Sequence, residues 1–188
     1  MFFALLFRLK YIHRWGLMRN FRIENVSEHS LEVAIVAHAL AEIGVAYFDR
    51  GYSPADIALL AIYHDVSEIF TGDMPSPIKY RTEEMKKSYK SIEHEAEANL
   101  LSLLPDKLQK NYAELIGQNA DSSEHKIIKA ADRLCAYIKC VEETNSGNRE
   151  FSKAEEEIYK TLDTGGLEEL KYFVDNFLPY FKNTIDEM

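Results

Sequence analysis

The chain has 188 residues, 46% of them apolar and 28% charged, with five Pro and eight Gly scattered along it. That composition fits one soluble globular domain spanning 1–188 and excludes linker-rich or low-complexity architectures. Its 22 Lys and Arg stand against 31 Asp and Glu, a formal charge of −9, so its overall field attracts neither nucleic acid nor an anionic membrane.

The first segment, MFFALLFRLKYI, is interrupted by Arg8, has no basic stretch ahead of it and no small-residue cleavage site after it. It reads as an amphipathic helix over residues 2–14 rather than a signal peptide. No segment reaches about 18 uncharged apolar residues, so no membrane span is expected. The connection that follows, up to Asn25, has Arg14, Arg19 and Arg22 close together. Asn25 with Glu28 resembles a capping box, and the run LEVAIVAHALAEIGVA behind it is apolar nearly all round, which marks a buried helix.

The turn DRGYSP ends that helix. Ser53, Pro54 and Asp56 then predict the start of a third, through PADIALLAIYHDVSEIF to Thr71. Pro75 and Pro77 predict an extended loop. A charged helix is expected from Thr82 to Leu104, and Pro105 begins the next element. Asp121 and Ser122 can cap a helix running to Thr144 through EHKIIKAADRLCAYIKCVEE. Two further helices, separated by Gly165-Gly166, complete the chain. With no convincing strand, the expected fold is an all-α bundle of about six to eight helices.

Cys135 and Cys140 are the two cysteines. In a helix their Cα atoms would lie roughly 7.5 Å apart by rise alone, too far for a disulfide, so a reducing cytoplasm is the expected location.

The chemistry is suggested by polar residues placed inside apolar helices. His64-Asp65 interrupts ALLAIYHDVSEIF, His29 begins the preceding buried helix, and Asp132 interrupts IIKAADRLCAYI. Burying such groups without partners costs several kcal/mol, about 2–7 for a neutral polar group. Two imidazoles and two carboxylates suit one divalent ion such as Co, Mn, Zn, Ni or Fe. Glu68 lies four residues after His64, on the same helical face. His38 is half a turn round from His29 and faces away. It reads as a core or surface histidine, as do His13, His94 and His125.

His29, His64-Asp65 and Asp132 follow the H…HD…D pattern of HD-domain phosphohydrolases. More closely, RWGLMRNFRIENVSEHSLEVA, LLAIYHDVSEIFTGDMPSPIKY and IIKAADRLCAYIKCVEE resemble the YfbR-type 5′-deoxynucleotidases over residues 8–150. The resemblance implies an HD-domain helical bundle that hydrolyses the 5′-phosphate of deoxyribonucleoside 5′-monophosphates, typically as a homodimer. It implies that His29, His64, Asp65 and Asp132 hold the metal and that Glu68 is the general acid/base. It places Arg14 on the phosphate and Trp15 and Asp73 on the sugar, with His29 and Asp65 also facing the substrate. At Gly117-Gln118-Asn119-Ala120, where the family contributes acidic and His residues, this chain has neither type.

Other readings stand beside this one. Arg14, Arg19 and Arg22 could be a solvated cluster, a reading preferred for Arg19 and Arg22 but not for Arg14; Trp15 could be a core anchor and Asp73 a turn former. Another HD hydrolase, acting on a cyclic nucleotide, a triphosphate or an alarmone, is the second enzymatic reading; the short chain favours a small monoester. A non-catalytic dimeric HD domain would lack a ligand or Glu68, and all five residues are present.

Overall fold

The computed structural model describes residues 1–117, 119–162 and 166–187. Gln118 of the Gly117–Ala120 loop and Gly165 of the Gly165-Gly166 break therefore lie outside the described residues. The described residues are helical and contain no strand. One isolated antiparallel bridge pairs His13 with Asn25.

The axis of the bundle is α2 (Val26–Phe48). Asn25 caps it with the full reciprocal box: its side chain accepts from the backbone N–H groups of Ser27 and Glu28, and the Glu28 carboxylate accepts from Asn25 N–H. By length and composition α2 is apolar enough to cross a membrane, with a mean hydropathy of 1.6 over its best window. In this fold it packs on α3 (Pro54–Ile62), α8 (Ser123–Asn145) and α10 (Glu168–Asn176), while α9 (Ser152–Leu162) packs on α8. Val33, Ala37 and Leu40 of α2 meet Ile57 and Ala61 of α3 and Ile127, Leu134 and Ile138 of α8 in the larger apolar cluster. Leu40 is fully buried, so truncating it to Ala would cost about 2–5 kcal/mol.

A second cluster joins α1 (Phe2–Leu6) to α6 (Glu83–Ser102) and α7 (Asp106–Ile116) through Phe2, Val66, Leu100, Leu104 and Ile116. Thr82 caps α6 and Ser122 caps α8 by accepting from Met85 N–H and His125 N–H. The two clusters meet where α2 begins: Val26 belongs to the second and Val33 to the first.

Four expected elements differ in detail. The helix over residues 2–14 stops at Leu6, and a 3₁₀ turn covers Leu9–Tyr11. Residues 12–14 are instead paired to the entry of α2: Val26 N–H donates to Ile12 O and Arg14 N–H to Glu24 O, each at 3.0 Å. The third helix ends at Ile62. Tyr63 to Ser67 form turns with i→i+3 bonds before the short α4 (Glu68–Thr71). Ser53 makes no side-chain cap, although Pro54 stands at the first position. The Pro75–Pro77 stretch includes a helical turn, α5 (Ser76–Lys79), because Pro77 is compatible with a helix start.

The connection between Trp15 and Asn25 is pinned to α8. Phe21 N–H and Arg22 N–H donate to the Glu143 carboxylate at 2.9 and 3.1 Å. The buried Lys139 ammonium joins Glu143 to the Arg22 carbonyl. Asn148 Nδ2 donates to Arg19 O and to Glu143, both at 2.7 Å.

Candidate metal centre and active site

His29 occupies the first turn of α2 and is fully buried. Asp132 projects from the middle of α8, 103 residues away, yet its Oδ1 lies 3.1 Å from His29 Nε2. His64 and Asp65 come from the break after α3. This corrects the expectation of a continuous helix there. The His64 ring Nδ1 is 2.7 Å from Ala61 O. The imidazole thus occupies a carbonyl that a continuing helix would offer to the N–H of Asp65. The broken turn lets both residues face His29: Asp65 Oδ2 is 3.0 Å from His64 Nε2 and 3.8 Å from His29 Nε2. One donor atom from each of His29, His64, Asp65 and Asp132 lies within 4.8 Å of the other three.

These four residues fit a divalent cation. With His64 Nδ1–H donated to Ala61 O, its Nε2 carries a lone pair, and that buried atom has no hydrogen-bond partner. It faces the Asp65 carboxylate, so two acceptors confront each other unless a positive charge lies between them. Burial by itself would raise the Asp65 carboxyl, and positive charge at the His64 edge drives it down. Asp132 is likewise held well below the usual range, against its burial, by Lys129 and His29. Two ionised carboxylates and two imidazole nitrogens form a donor set of the kind that Mn, Fe, Co, Ni or Zn accepts.

Around this group stand the other residues singled out from the sequence. Glu68 opens α4, and its Oε2 is buried without a hydrogen-bond partner. Burial, reinforced by the negative charges of Asp65 and Asp73, pushes its pKa up to about 10. Because the helix is broken, Glu68 reaches the site from a separate helical turn and not from a shared face with His64. The side chain of Arg14 is 12% exposed, and its Nη1 donates to Glu24 Oε1 at 3.0 Å. Desolvation works against the Arg14 charge, but Glu24, Asp132, Asp65 and Asp73 together raise its pKa.

Trp15 has φ of 60°, a left-handed conformation that costs a non-glycine residue about 1–3 kcal/mol and needs fixing contacts. Its backbone N–H donates to Asp73 at 3.2 Å, its indole N–H donates to Glu24 Oε2 at 2.8 Å, and its ring packs on Phe151 with centroids 5.3 Å apart. The Trp15 ring is thus half-buried. Asp73 follows Gly72, whose φ of 70° allows the sharp exit from α4.

Sequence reasoning passed over two residues here. Glu24 is 6% exposed and sits among Arg14, Trp15 and His29, with His29 Nδ1 3.5 Å from its Oε1. Nothing in its spacing separates it from a solvated loop acid. Lys129 Nζ lies 3.2 Å from Asp132 Oδ2, and the Asp132 charge raises its pKa. Its signal was available, since it stands three residues before Asp132 on one helix. Arg19 points outward and pairs with Glu150 at 2.9 Å, and Arg22 is exposed, both consistent with a solvated cluster. His13, His38, His94 and His125 lie outside the four-residue group.

The sequence matches the family described as 5′-deoxynucleotidase YfbR-like over residues 1–181. It is similar to 5′-deoxynucleotidase YfbR of Escherichia coli O127:H6, with 50% identity over 188 residues, covering 100% of this chain and 94% of that one. A 5′-deoxynucleotidase of Photobacterium profundum is 49% identical and is 97% covered. Among solved structures, an HD-domain phosphohydrolase from Listeria innocua superposes with a TM-score of 0.84 at 25% identity, covering 96% of this chain and 87% of that one. The cyanophage S-2L HD phosphohydrolase DatZ, solved with dA and one catalytic Zn2+ ion, shares the fold, with a TM-score of 0.66, 21% identity and 96% coverage of each chain. The broken helix that presents His64-Asp65 beside His29 and Asp132 is thus found in a chain that belongs to the family of YfbR-like 5′-deoxynucleotidases.

Proposed function

We infer that this chain hydrolyses the 5′-phosphate of deoxyribonucleoside 5′-monophosphates to deoxyribonucleoside and phosphate. The observation that carries the reading is the four-donor group of His29, His64, Asp65 and Asp132, within 4.8 Å, in a chain of this family. Glu68, with one carboxylate oxygen buried and unpartnered, and the largely buried guanidinium of Arg14 flank the group.

His29, His64, Asp65 and Asp132 would hold one divalent transition-metal ion. When bound, such an ion supplies Lewis acidity at a phosphoryl oxygen and acidifies water. Arg14 binds the phosphate: Nη1 is committed to Glu24, and the remaining N–H groups of its fork suit phosphate oxygens. Glu68 moves the proton, taking it from the attacking water and returning it to the departing 5′-oxygen. Neutralising the Asp65 charge, one cause of its raised pKa, brings Glu68 towards the range in which it can do both. Trp15 and Asp73, joined through the Trp15 N–H, form the wall on which the sugar rests.

The same reading makes the enzyme a cytoplasmic homodimer with a small nucleotide, and no nucleic acid, as its substrate. The net charge of −9 and the two free, buried cysteines support the location and the substrate class; the dimer rests on family resemblance.

The test is phosphate release from matched deoxynucleoside and ribonucleoside monophosphates, cyclic nucleotides and triphosphates, with and without a chelator. Chelator-sensitive release confined to deoxynucleoside monophosphates is expected, and Asp65→Ala should lose metal and activity together. Release from triphosphates or cyclic nucleotides in preference to monophosphates would replace this reading with another phosphohydrolase activity.

A further inference from the structure

We propose that Glu24 is the positioning residue of this site, one carboxylate that sets Arg14, Trp15 and the metal-facing edge of His29 at once. The Arg14 and His29 parts of the proposal rest on the deoxynucleotidase reading above.

Glu24 is 6% exposed, and a carboxylate is left so deep only when its partners compensate the lost hydration. Its partners come from two segments. Oε1 accepts from Arg14 Nη1 at 3.0 Å and lies 3.5 Å from His29 Nδ1, while Oε2 accepts from the indole N–H of Trp15 at 2.8 Å. Its backbone carbonyl also accepts from Arg14 N–H at 3.0 Å. Arg14 is therefore gripped twice by one residue.

Each contact has a separate consequence. A guanidinium is planar, so fixing one edge at Glu24 aims the other N–H groups. The Glu24 carboxylate lies 3.5 Å behind His29 Nδ1, short of a formed hydrogen bond; once tightened by a cation on the other edge, it would make Nδ1 the donor and leave the Nε2 lone pair towards Asp132 and Asp65. The indole N–H bond fixes the ring angle of Trp15, whose left-handed backbone is held by Asp73 at its N–H and by Met18 and Asn20 at its carbonyl, and whose ring otherwise packs on Phe151. Because all three meet on one group, a change at His29 is transmitted to Trp15, and Trp15 is the single tryptophan of the chain. Its emission is therefore a direct reporter of the metal site.

The experiment titrates chelator-treated full-length protein with Zn2+, following binding by calorimetry and Trp15 emission in parallel, for wild type, Glu24→Gln and Glu24→Asp. The amide of Gln keeps the size but cannot accept at both ends. We expect it to weaken Zn2+ binding by about 10- to 100-fold, to make Trp15 more open to acrylamide quenching, and to lose the Zn2+-dependent change in emission that wild type shows. Glu24→Asp should recover part of the affinity. A Glu24→Gln protein that only melts at lower temperature, with Zn2+ affinity and emission response unchanged, overturns the proposal and reduces Glu24 to a structural acid. Wild type decides the matter if Glu24→Gln does not fold: Zn2+ binding without any change in Trp15 emission also overturns it. Wild type that binds Zn2+ with the emission change but releases no phosphate from deoxynucleotides sinks the enzymatic reading and supports the Glu24 linkage.

Discussion

The backbone N–H of Trp15 donates to the carboxylate of Asp73 at 3.2 Å, although 58 residues separate them in the chain. The bond joins the connection before α2 to the exit of α4, so the two residues assigned to the sugar form one wall. An indole against C2′ leaves an added hydroxyl desolvated without a partner, at roughly 1–3 kcal/mol, or about a 5- to 150-fold preference for deoxyribose. Trp15→Ala should narrow the ratio of deoxy- to ribonucleotide hydrolysis. Lost thermal stability with an unchanged ratio would make Trp15 an anchor on Phe151 and nothing more.

Arg14→Lys keeps the charge and removes the fork. A lysine ammonium cannot hold Glu24 and a phosphate with the same geometry. Losing one charge-assisted contact of about 1.5–3 kcal/mol should lower kcat/KM by roughly 10- to 150-fold. Steady-state kinetics at fixed metal concentration reads this directly, and an unaltered rate would remove Arg14 from the phosphate.

Glu68→Gln should keep the metal, since Glu68 is outside the four-donor group, and should still bind nucleotide. Turnover should fall by about 10²- to 10⁴-fold, the usual loss for a missing acid–base group. Metal content by elemental analysis, set beside kcat, separates this from a ligand role, for which both would fall together.

Glu143 gives a pH test. Burial would raise its carboxyl, but bonds from Lys139, Phe21 N–H, Asn148 and Arg22 N–H hold its pKa down at about 2, against an ordinary 4.5. A lowered folded-state pKa contributes stability that is fully present above pH 4.5 and is lost as pH falls towards 2. Glu143→Gln, which leaves the buried Lys139 without its counter-charge, should cost about 3–5 kcal/mol near neutrality. Thermal melts of the two proteins should be furthest apart above pH 4.5 and converge towards pH 2.

The four residues that come together were legible in the sequence because each broke an apolar pattern. Polar His29, His64-Asp65 and Asp132 stand out inside helices that are otherwise buried. Helix starts were equally readable at Asn25, Thr82 and Ser122, where a local side chain makes the cap. The break at Tyr63 was not, because no Gly or Pro marks it. A side chain makes it, through His64 Nδ1 and the Ala61 carbonyl, a contact that no local pattern announces. Glu24 was hidden for a similar reason. Its partners are Arg14 and Trp15 across a backbone pairing, and a loop acid one residue before a helix cap has no periodicity to betray it.

The segment from Ile12 to Val26 has almost no regular secondary structure, yet four of its amides are tied to distant parts of the chain or across its own neck. Arg14 and Val26 N–H are tied across its neck, and Phe21 and Arg22 N–H end on Glu143. A loop held this way opens only when α8 gives way. In deuterated buffer these four amide protons should therefore be retained as long as those of the buried turns of α8. Arg14 and Trp15 would then be carried on a piece of chain with the rigidity of a helix.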